Sequence, residues 1–311
     1  MKEKAETKSS AAFTLRNIKR KRVCSYLRVR LFFFAYAFYE ISENDRNDKG
    51  ESPGKEIFMS DWDSGQYMKF KNERTRPAID LISRIDRRAD RILDIGCGPG
   101  NSTARLFEKF PDAEIIGIDS SQNMLEKAKS TYPQLKFQKC FVPDDLDVLG
   151  SFDIIFSNAC LHWIAGHDRL LPELMNHLNA NGVLAVQMPL VQRAPFYIVL
   201  GELTKSDRWR CLSKVNNFNN LLPEPTYDIL SGVSSDVTMW ETVYYHIMDS
   251  QKDVIEWYKG SGLRPYLDLL NEDEKQEFLR ELEEKIKDIF PRQRDGRVIL
   301  KIPRMFFIAA K

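Results

Sequence analysis

Apolar runs of strand length alternate along most of the chain with segments of helical character. The run 152–157 is apolar without polar alternation, as expected for a parallel strand buried on both faces. The runs 91–95 and 114–119 each precede a segment that begins like a helix, and 74–85 carries an amphipathic stripe. This order predicts an α/β fold built on a doubly wound, mostly parallel, Rossmann-like sheet.

Seven strands are expected in that sheet. Two helical segments, 251–259 and 271–290, fall between the sixth and seventh strands, and the second opens with the capping-box pattern of Asn271 and Glu274. The sheet does not require helices at this point in the chain, so we predict that they form a cap and build a pocket for the substrate that accepts the transferred group. The remaining strands are expected at 135–141, 183–188, 238–246 and 296–310, and cap helices at about 195–232 and 250–290 of a single domain, 59–311.

A glycine motif follows the first of these strands and indicates the cofactor. Gly96, Gly98 and Gly100 have the spacing G-x-G-x-G, and Asp94 precedes them by two residues. A dinucleotide fold favours G-x-G-x-x-G, and a carboxylate at position 94 would repel a pyrophosphate. The motif favours a cofactor with an ammonium and a sulfonium group, S-adenosyl-L-methionine.

The next strand supports that choice. It ends at Asp119, a position from which a carboxylate accepts hydrogen bonds from ribose hydroxyls in nucleotide-binding folds. Ser120 or Ser121 is expected to cap the following helix, and Met124 is expected to point back toward the cofactor. A tight turn with a capping aspartate is the alternative explanation of the motif.

Short motifs spread over nearly all of residues 59–311 resemble those of one family. The chain resembles the class I S-adenosylmethionine-dependent methyltransferases and, within them, the trans-aconitate methyltransferase family. The matching stretches are Met59-Ser-Asp-Trp62, Glu73-Arg-Thr-Arg-Pro77, Asp94-Ile-Gly-Cys-Gly-Pro-Gly-Asn-Ser-Thr103, Gly117-Ile-Asp-Ser-Ser121, Ala185-Val-Gln-Met-Pro189, Tyr244-Tyr-His246 and Gly262-Leu-Arg-Pro265.

The resemblance implies methylation of a carboxylate of trans-aconitate to its monomethyl ester, with a small tricarboxylate as partner. It places the region around Trp62 over the cofactor as a lid. We expect Arg264 to position the acceptor, helped by His246, Tyr244 and Arg74. No residue is assigned as a general acid or base. Cofactor contacts are expected from Asp94, Gly96, Cys97, Gly98, Gly100, Asp119, Ser120, Met124, Phe141, Asn158 and Trp163.

Two departures from the family leave alternatives open. Phe141 stands where an acid usually binds the adenine amine, although Asp144 or Asp145 could replace it. The family's Asn and Glu after the fifth strand are here Val191 and Ala194. The alternatives are methylation of another small carboxylate or hydroxyl, a cofactor-binding protein with little activity, and a nicotinamide dehydrogenase, which the glycine spacing disfavours.

The net charge of +1 conceals an asymmetry. Residues 1–58 hold 13 Lys and Arg against 8 Asp and Glu, whereas the rest holds 33 against 37. The body therefore lacks the basic stripe of a nucleic-acid groove, and we expect no nucleic-acid partner. Five cysteines without C-x-x-C spacing indicate reduced thiols. We expect a cytoplasmic monomer without a metal site.

Residues 1–58 are predicted to be a basic, partly apolar, disordered extension. Their apolar run, 31–39, is far shorter than the roughly 20 residues of a membrane span, so we expect the 59–311 body to stay off membranes. The resemblance begins at Met59, and Lys55 and Glu56 can be encoded by a ribosome-binding sequence. The extension is therefore either an upstream-start artefact or an arm with weak affinity for anionic surfaces.

Overall fold

The computed structural model describes residues 61–213, 215, 219 and 221–311. The predicted extension, 1–58, lies outside the described residues, as does Met59. The predicted sheet and nearly all of the predicted cap fall inside them.

One seven-stranded sheet organises the described residues. Its strands are β1 (Arg91–Ile95), β2 (Glu114–Asp119), β3 (Lys136–Lys139), β4 (Phe152–Asn158), β5 (Leu178–Pro189), β6 (Asp236–Met248) and β7 (Val298–Ala310). Their order is β3-β2-β1-β4-β5-β7-β6; β1 to β5 are parallel, and β7 runs antiparallel to both β5 and β6. The predicted mostly parallel, seven-stranded α/β sheet is confirmed.

Ten α-helices of the described part surround the sheet or lie beyond its end. They are α1 (Ser64–Met68), α2 (Lys71–Ser83), α3 (Asn101–Lys109), α4 (Gln122–Thr131), α5 (His167–Asn176), α6 (Pro195–Lys205), α7 (Pro223–Ser231), α8 (Gln251–Lys259), α9 (Arg264–Leu267) and α10 (Glu272–Ile286). The capping box of Asn271 and Glu274 is present at the start of α10, as predicted.

Both faces of the sheet are buried, which explains the continuous apolar character of its central strands. In β4, Ile155 faces a core that includes Leu171 of α5 and Leu230 of α7. The neighbouring Phe156 faces a second core, with Leu81 of α2 and side chains of α3. Successive side chains of a strand point to opposite faces, so β4 supplies both cores through its consecutive apolar residues Ile154, Ile155 and Phe156.

The hairpin of β6 and β7 extends beyond the rest of the sheet. The two strands pair over 13 residues, but β5 pairs only with the part of β7 from Arg304 to Ala310. The free half of the hairpin carries a third apolar core together with α6, α8 and α10, in which Phe278 and Trp257 are buried. This third core contains α6, α8 and α10 of the predicted cap and begins where β5 ends. The prediction is wrong for α7, which was expected in the cap but packs Leu230 into the first core on the sheet.

Two boundary signals in the sequence are not followed, for local reasons. Asparagine is a common cap residue, but the cap position of α3 is Gly100, whose φ of 86° ends the glycine loop, and Asn101 is the first helical residue. The fifth strand, expected at 183–188, begins earlier because Asn181 and Gly182 do not form a turn before it. They lie inside β5, where Asn181 has φ 63° and the pairing with β4 shifts register. The Asn-Gly pair therefore marks a strand irregularity.

Two prolines lie inside regular elements. The amphipathic segment expected at 74–85 begins earlier as a helix, at Lys71, so Pro77 lies within α2. The last strand, expected at 296–310, continues through Pro303. Pro303 lies just beyond the last pair of β5 and β7, where a missing N–H removes no bond to β5.

Candidate active site

The glycine loop between β1 and α3 contains two packing glycines and one that faces open space. All three have positive φ. A Cβ on Gly96 would lie 2.3 Å from Cβ and Sγ of Cys160, and one on Gly100 would lie 2.9 Å from the ring of Phe137. A Cβ on Gly98 would meet no atom within 4 Å. Gly98 is therefore the position at which a ligand can approach the backbone.

Asp94 ties this loop to the helix that follows it. Its carboxylate is completely buried, and Oδ2 accepts hydrogen bonds from Ser102 Oγ (2.7 Å) and Thr103 Oγ1 (2.6 Å). Oδ1 is buried and has no hydrogen-bond partner among the described residues. Burial raises the pKa of Asp94 to about 6 against the opposing effect of those two hydrogen bonds. A cation beside Oδ1 would stabilise the ionised form.

Asp119 lies at the end of β2 and contacts the same loop. Its Oδ2 accepts from the Gly98 amide (2.9 Å) and its Oδ1 from the Ser121 amide (2.8 Å). Burial raises the pKa of Asp119, and the charge of Asp61 raises it further. Each carboxylate oxygen has a second lone pair, so Asp119 retains capacity for the predicted ribose hydroxyls.

The residues around the loop fit the predicted cofactor. The unpartnered Asp94 Oδ1 suits an ammonium, the open side of Gly98 suits close approach of a ligand, and Asp119 suits a ribose. Asn158 Oδ1, at the end of β4, is also buried without a partner in the described part. These four residues are the ones that would hold S-adenosylmethionine.

The other predicted cofactor residues lie around this centre with different exposure. Met124 is buried at the start of α4, whose cap is Ser121, and Ser120 is exposed. Phe141 is 51% exposed. Its amide donates to Asp145 Oδ2 (2.8 Å), so the Asp145 carboxylate is bound to the backbone of its own loop, which follows β3. Trp163 meets Trp62 edge to face, with ring centroids 5.4 Å apart.

Residues 61–83, which we call the strap, cross from the glycine loop to the cap. At one end, the Asp61 carboxylate accepts from the Asn123 amide (2.9 Å) and from the hydroxyl of Ser121 at the start of α4. Further along, Gln66 Nε2 donates to the main-chain oxygen of Glu256 in α8 (2.9 Å). The strap therefore joins the start of α4 to the cap. The lid over the cofactor that the resemblance implies for this region stays a prediction.

Arg74 of the strap lies between aromatic side chains beside the glycine loop. Its guanidinium carbon is 4.4 Å from the ring centroids of both Tyr67 and Trp257, and Nη2 donates to the main-chain oxygen of Trp257 (2.9 Å). Its Nε is buried without a partner in the described part. Burial lowers the pKa of Arg74, but an arginine remains charged at neutral pH. Tyr67 and Arg74 line a small cavity together with Gly96 and Asn158.

Arg304 brings a second cation to the same region. It is 6% exposed and projects from β7 where β5 ends, opposite Pro189. Nη1 donates to Gln187 Oε1 (3.1 Å), whereas Arg304 Nε and Gln187 Nε2 are buried without partners among the described residues. Burial, and then the charge of Arg74, lowers the pKa of Arg304 to about 10. Neither arginine forms an ion pair with a described carboxylate.

The free half of the β6–β7 hairpin adds His246 and Tyr244. His246 is 2% exposed and stacks on Trp257, with ring centroids 4.8 Å apart. The Tyr244 hydroxyl donates to Asp80 of α2, so this tyrosine joins α2 to β6 and presents its ring to Arg304 at 5.8 Å. Both residues were predicted near the acceptor, and the structure brings them to the same region as Arg74.

Arg264 lies on another side of the site. Its guanidinium carbon is 5.0 Å from the Trp62 ring centroid, and Nε is 3.9 Å from Asp268 Oδ2. Its part in acceptor binding therefore stays a prediction. Arg193, in the loop after β5, is exposed and pairs with Glu241 at 2.6 Å. Val191 and Ala194 are both buried.

Gln187, Asp61 and Arg304 were not assigned to the site from the sequence. A usable signal existed for two of them, because Gln187 interrupts the apolar run 183–189 and Arg304 interrupts the apolar run 302–310. A buried polar residue in such a run needs a partner. Asp61 had no comparable signal, since capping α4 from 62 residues away is a tertiary contact.

Comparisons with known proteins agree with this geometry. A family model described as a methyltransferase domain matches residues 93–184. Trans-aconitate 2-methyltransferase of Rhodopseudomonas palustris (strain BisB5) is 41% identical over 262 residues, covering 81% of this chain and 100% of that protein. The protein of the same name from Escherichia coli O157:H7 (strain EC4115 / EHEC) is 39% identical over 263 residues, covering 81% and 99%. The chain belongs to the trans-aconitate 2-methyltransferase family.

As a member of the trans-aconitate 2-methyltransferase family, the protein is an S-adenosylmethionine-dependent methyltransferase, which excludes the dehydrogenase alternative. A solved phosphoethanolamine N-methyltransferase 2 from Haemonchus contortus, in complex with S-adenosyl-L-methionine, shares the fold with a TM-score of 0.50 and 16% identity, covering 80% of this chain and 56% of that one. Among the described residues, no helix has the length and apolarity to span a membrane, and no cluster of three metal-ligating side chains occurs.

Cofactor affinity in this member of the family should depend on pH through Asp94. Its pKa of about 6 falls when an ammonium lies beside it, so binding favours the ionised carboxylate. Affinity for S-adenosylhomocysteine should be constant above pH 7 and fall by about tenfold per pH unit below pH 6. Calorimetric titration from pH 8 to pH 5 measures this. The Asp94→Asn variant should bind weakly with a flatter profile; an unchanged wild-type affinity at pH 5 would exclude this role.

The two glycines Gly96 and Gly98 should respond differently to alanine. Gly98→Ala should lower the free energy of unfolding by only about 1–2 kcal/mol, the cost of its backbone conformation, and should therefore fold. It should bind S-adenosylhomocysteine at least about tenfold more weakly, because its Cβ occupies the open side of the loop. Gly96→Ala collides with Cys160 and should lower the melting temperature much more. Thermal melting and ligand titration separate the two effects; equal losses of stability would contradict the assignment.

Proposed function

We propose that this protein transfers the methyl group of S-adenosylmethionine to a carboxylate of trans-aconitate and releases the monomethyl ester. The names of its relatives from Rhodopseudomonas palustris and Escherichia coli support the acceptor. The observation that carries the proposal is the pair Arg74 and Arg304, two guanidinium groups at the site with no carboxylate of the described chain paired to them.

The energetics of those cations favour an anionic acceptor. Arg304 is almost completely buried, with a side-chain amide as its hydrogen-bond partner and a second cation close enough to lower its pKa. Burying an unpaired charge is costly, and pairing recovers much of the cost. A guanidinium binds a carboxylate through parallel N–H donors. An acceptor with several carboxylates therefore supplies what this pocket lacks.

The titratable groups also favour a carboxylate over a hydroxyl. A hydroxyl acceptor needs a base, but burial and nearby arginines lower the pKa of His246 to about 3, so it is a poor base at pH 7. Burial raises the pKa values of Tyr258 and Tyr197, and these phenols stay protonated. A carboxylate is already ionised at pH 7 and needs no proton transfer.

Catalysis then consists of positioning and exclusion of water. When bound, S-adenosylmethionine supplies an electrophilic methyl group whose bond to sulfur breaks, with the electron pair staying on the neutral sulfur of S-adenosylhomocysteine. Asp94 and Asp119 would hold the cofactor, and Arg74 and Arg304 would orient the acceptor so that one of its carboxylate oxygens is left free to receive the methyl group. The strap and the aromatic residues of the cap exclude water, which strengthens the pairing of carboxylate and guanidinium.

A related acceptor acid is the second candidate, because Val191 and Ala194 replace polar residues of the family pattern. Methyl transfer to trans-aconitate, cis-aconitate and isocitrate would separate the two candidates, and trans-aconitate should have the highest kcat/KM. A cofactor-binding protein would transfer no methyl to any of them. We further propose that the protein is cytoplasmic, because its cysteines lack C-x-x-C spacing and indicate reduced thiols. We also propose that it is a monomer, and light scattering in solution tests this.

Replacing either pocket arginine should weaken use of the acceptor, and replacing Arg304 should also spare the cofactor, because Arg74 lines the cavity at the glycine loop and Arg304 does not. Arg304→Gln and Arg74→Gln should each lower kcat/KM for trans-aconitate about 10- to 100-fold, the value of a charge-assisted hydrogen bond. Affinity for S-adenosylhomocysteine should change by less than about threefold for Arg304→Gln. Initial rates with labelled S-adenosylmethionine and calorimetric titration give both quantities.

Two further variants make this test specific. Arg193→Gln removes an exposed guanidinium and should behave as wild type. Arg264→Gln reports on the residue predicted from the family resemblance. Loss of activity in Arg264→Gln alone, with Arg74→Gln and Arg304→Gln unaffected, would contradict the assigned pocket, and a wild-type enzyme that methylates no acid would contradict the proposed function.

A further inference from the structure

His246 is the most completely buried titratable side chain of the acceptor pocket that the mechanism above leaves without a task. It is 2% exposed, and both ring nitrogens are buried without a hydrogen-bond partner among the described residues. An unsatisfied imidazole is costly in a protein interior. Both nitrogens therefore lack hydrogen bonds that a bound group could supply.

The imidazole is held rigidly on both sides. It stacks on Trp257 at 4.8 Å with an interplanar angle of 27°, and on Tyr244 at 6.3 Å and 10°. Tyr244 is fixed in turn by its hydrogen bond to Asp80. The plane of the ring is thus set by its neighbours, which leaves the ring edge, with its two nitrogens, to contact the acceptor.

The position of His246 places it at the cap end of the pocket. It pairs with Leu300 in the half of the hairpin that extends past β5, whereas Arg304 pairs with Thr242 at the end of β5. His246 lies four positions after Thr242 in β6, about 14 Å along an extended strand. His246 is therefore farther along the hairpin from the glycine loop than the backbone of Arg304.

His246 is also a neutral donor at physiological pH. Burial and the charges of Arg304, Arg76 and Arg74 disfavour the imidazolium form, and the aromatic neighbours Trp257 and Tyr244 offer no opposing charge. A neutral imidazole presents one N–H donor and one acceptor nitrogen. It binds a carboxylate through the N–H without adding a third cation to the pocket.

We propose that His246 donates a hydrogen bond to the carboxylate of the acceptor that lies farthest from the cofactor, and that this contact selects tricarboxylates over dicarboxylates. The inference rests on the proposed function and deepens it. His246 is then a specificity-determining residue, and the carboxylate it binds is one that is not methylated.

The test combines variants of His246 with acceptors that lack single carboxylates. Itaconate, glutaconate and mesaconate each correspond to trans-aconitate without one of its three carboxylates. His246→Phe keeps a flat ring between Trp257 and Tyr244 but has no donor, and His246→Asn restores one. kcat and KM are measured for trans-aconitate, and the dicarboxylates are measured as acceptors or, where turnover is slow, as competitive inhibitors.

The expected result is selective. His246→Phe should lower kcat/KM for trans-aconitate about 10- to 100-fold, chiefly through KM, as for lost ground-state binding. For one of the three dicarboxylates, wild type and variant should agree within about twofold, because that acid lacks the contacted carboxylate. His246→Asn should recover part of the loss and supplies the test if His246→Phe does not fold. The control Tyr245→Phe, at a half-exposed ring on the outer face of β6, should match wild type.

Other outcomes overturn the inference. An equal loss on all four acids would show that His246 only supports the pocket structurally, and no loss on trans-aconitate would show that it makes no contact. If wild type methylates trans-aconitate but the His246 variants lose activity equally on all four acids, or lose none on trans-aconitate, the proposed function stands and this inference is wrong. If wild type uses none of the acids, both are wrong.

Discussion

A buried arginine that no acidic side chain neutralises is the constraint on which the acceptor site depends. Arg304 is 6% exposed, its hydrogen-bond partner is the side-chain amide of Gln187, and its nearest charged influence is another arginine, Arg74. A folded chain tolerates such an arrangement when a ligand supplies the missing anion. The aromatic walls around Arg74 keep the dielectric low, which makes carboxylate binding strong when it occurs.

The strap makes the cofactor and acceptor sites share one wall. Asp61 fastens it to the start of α4 beside Asp119, and Gln66 fastens it to α8 of the cap. Farther along the strap, Arg74 lies against the glycine loop and the cap at once. An acceptor held by Arg74 is therefore placed relative to the cofactor loop by the same short segment, which is what in-line methyl transfer requires of a protein.

The cofactor half of the site could be predicted from the sequence, and the acceptor half only in part. Asp94, Gly98 and Asp119 follow directly from strand-end patterns, because parallel strands bring their carboxyl ends to one edge. The partnership of Arg304 with Gln187 depends on the antiparallel register of β7 against β5, which no local pattern encodes. Whether Arg74 or Arg264 faces the pocket depends on how the strap packs against the cap. That packing is a tertiary contact, which local sequence patterns also do not encode.

The central claim is that Arg74 and Arg304 together bind carboxylates of the acceptor. The most direct test is a crystal structure of the protein with S-adenosylhomocysteine and trans-aconitate. Our account predicts that two different carboxylates of one acceptor lie within hydrogen-bond distance of these two guanidinium groups, with a free carboxylate oxygen facing the cofactor sulfur. An acceptor bound at Arg264, with Arg74 and Arg304 making no contact to it, would contradict the account.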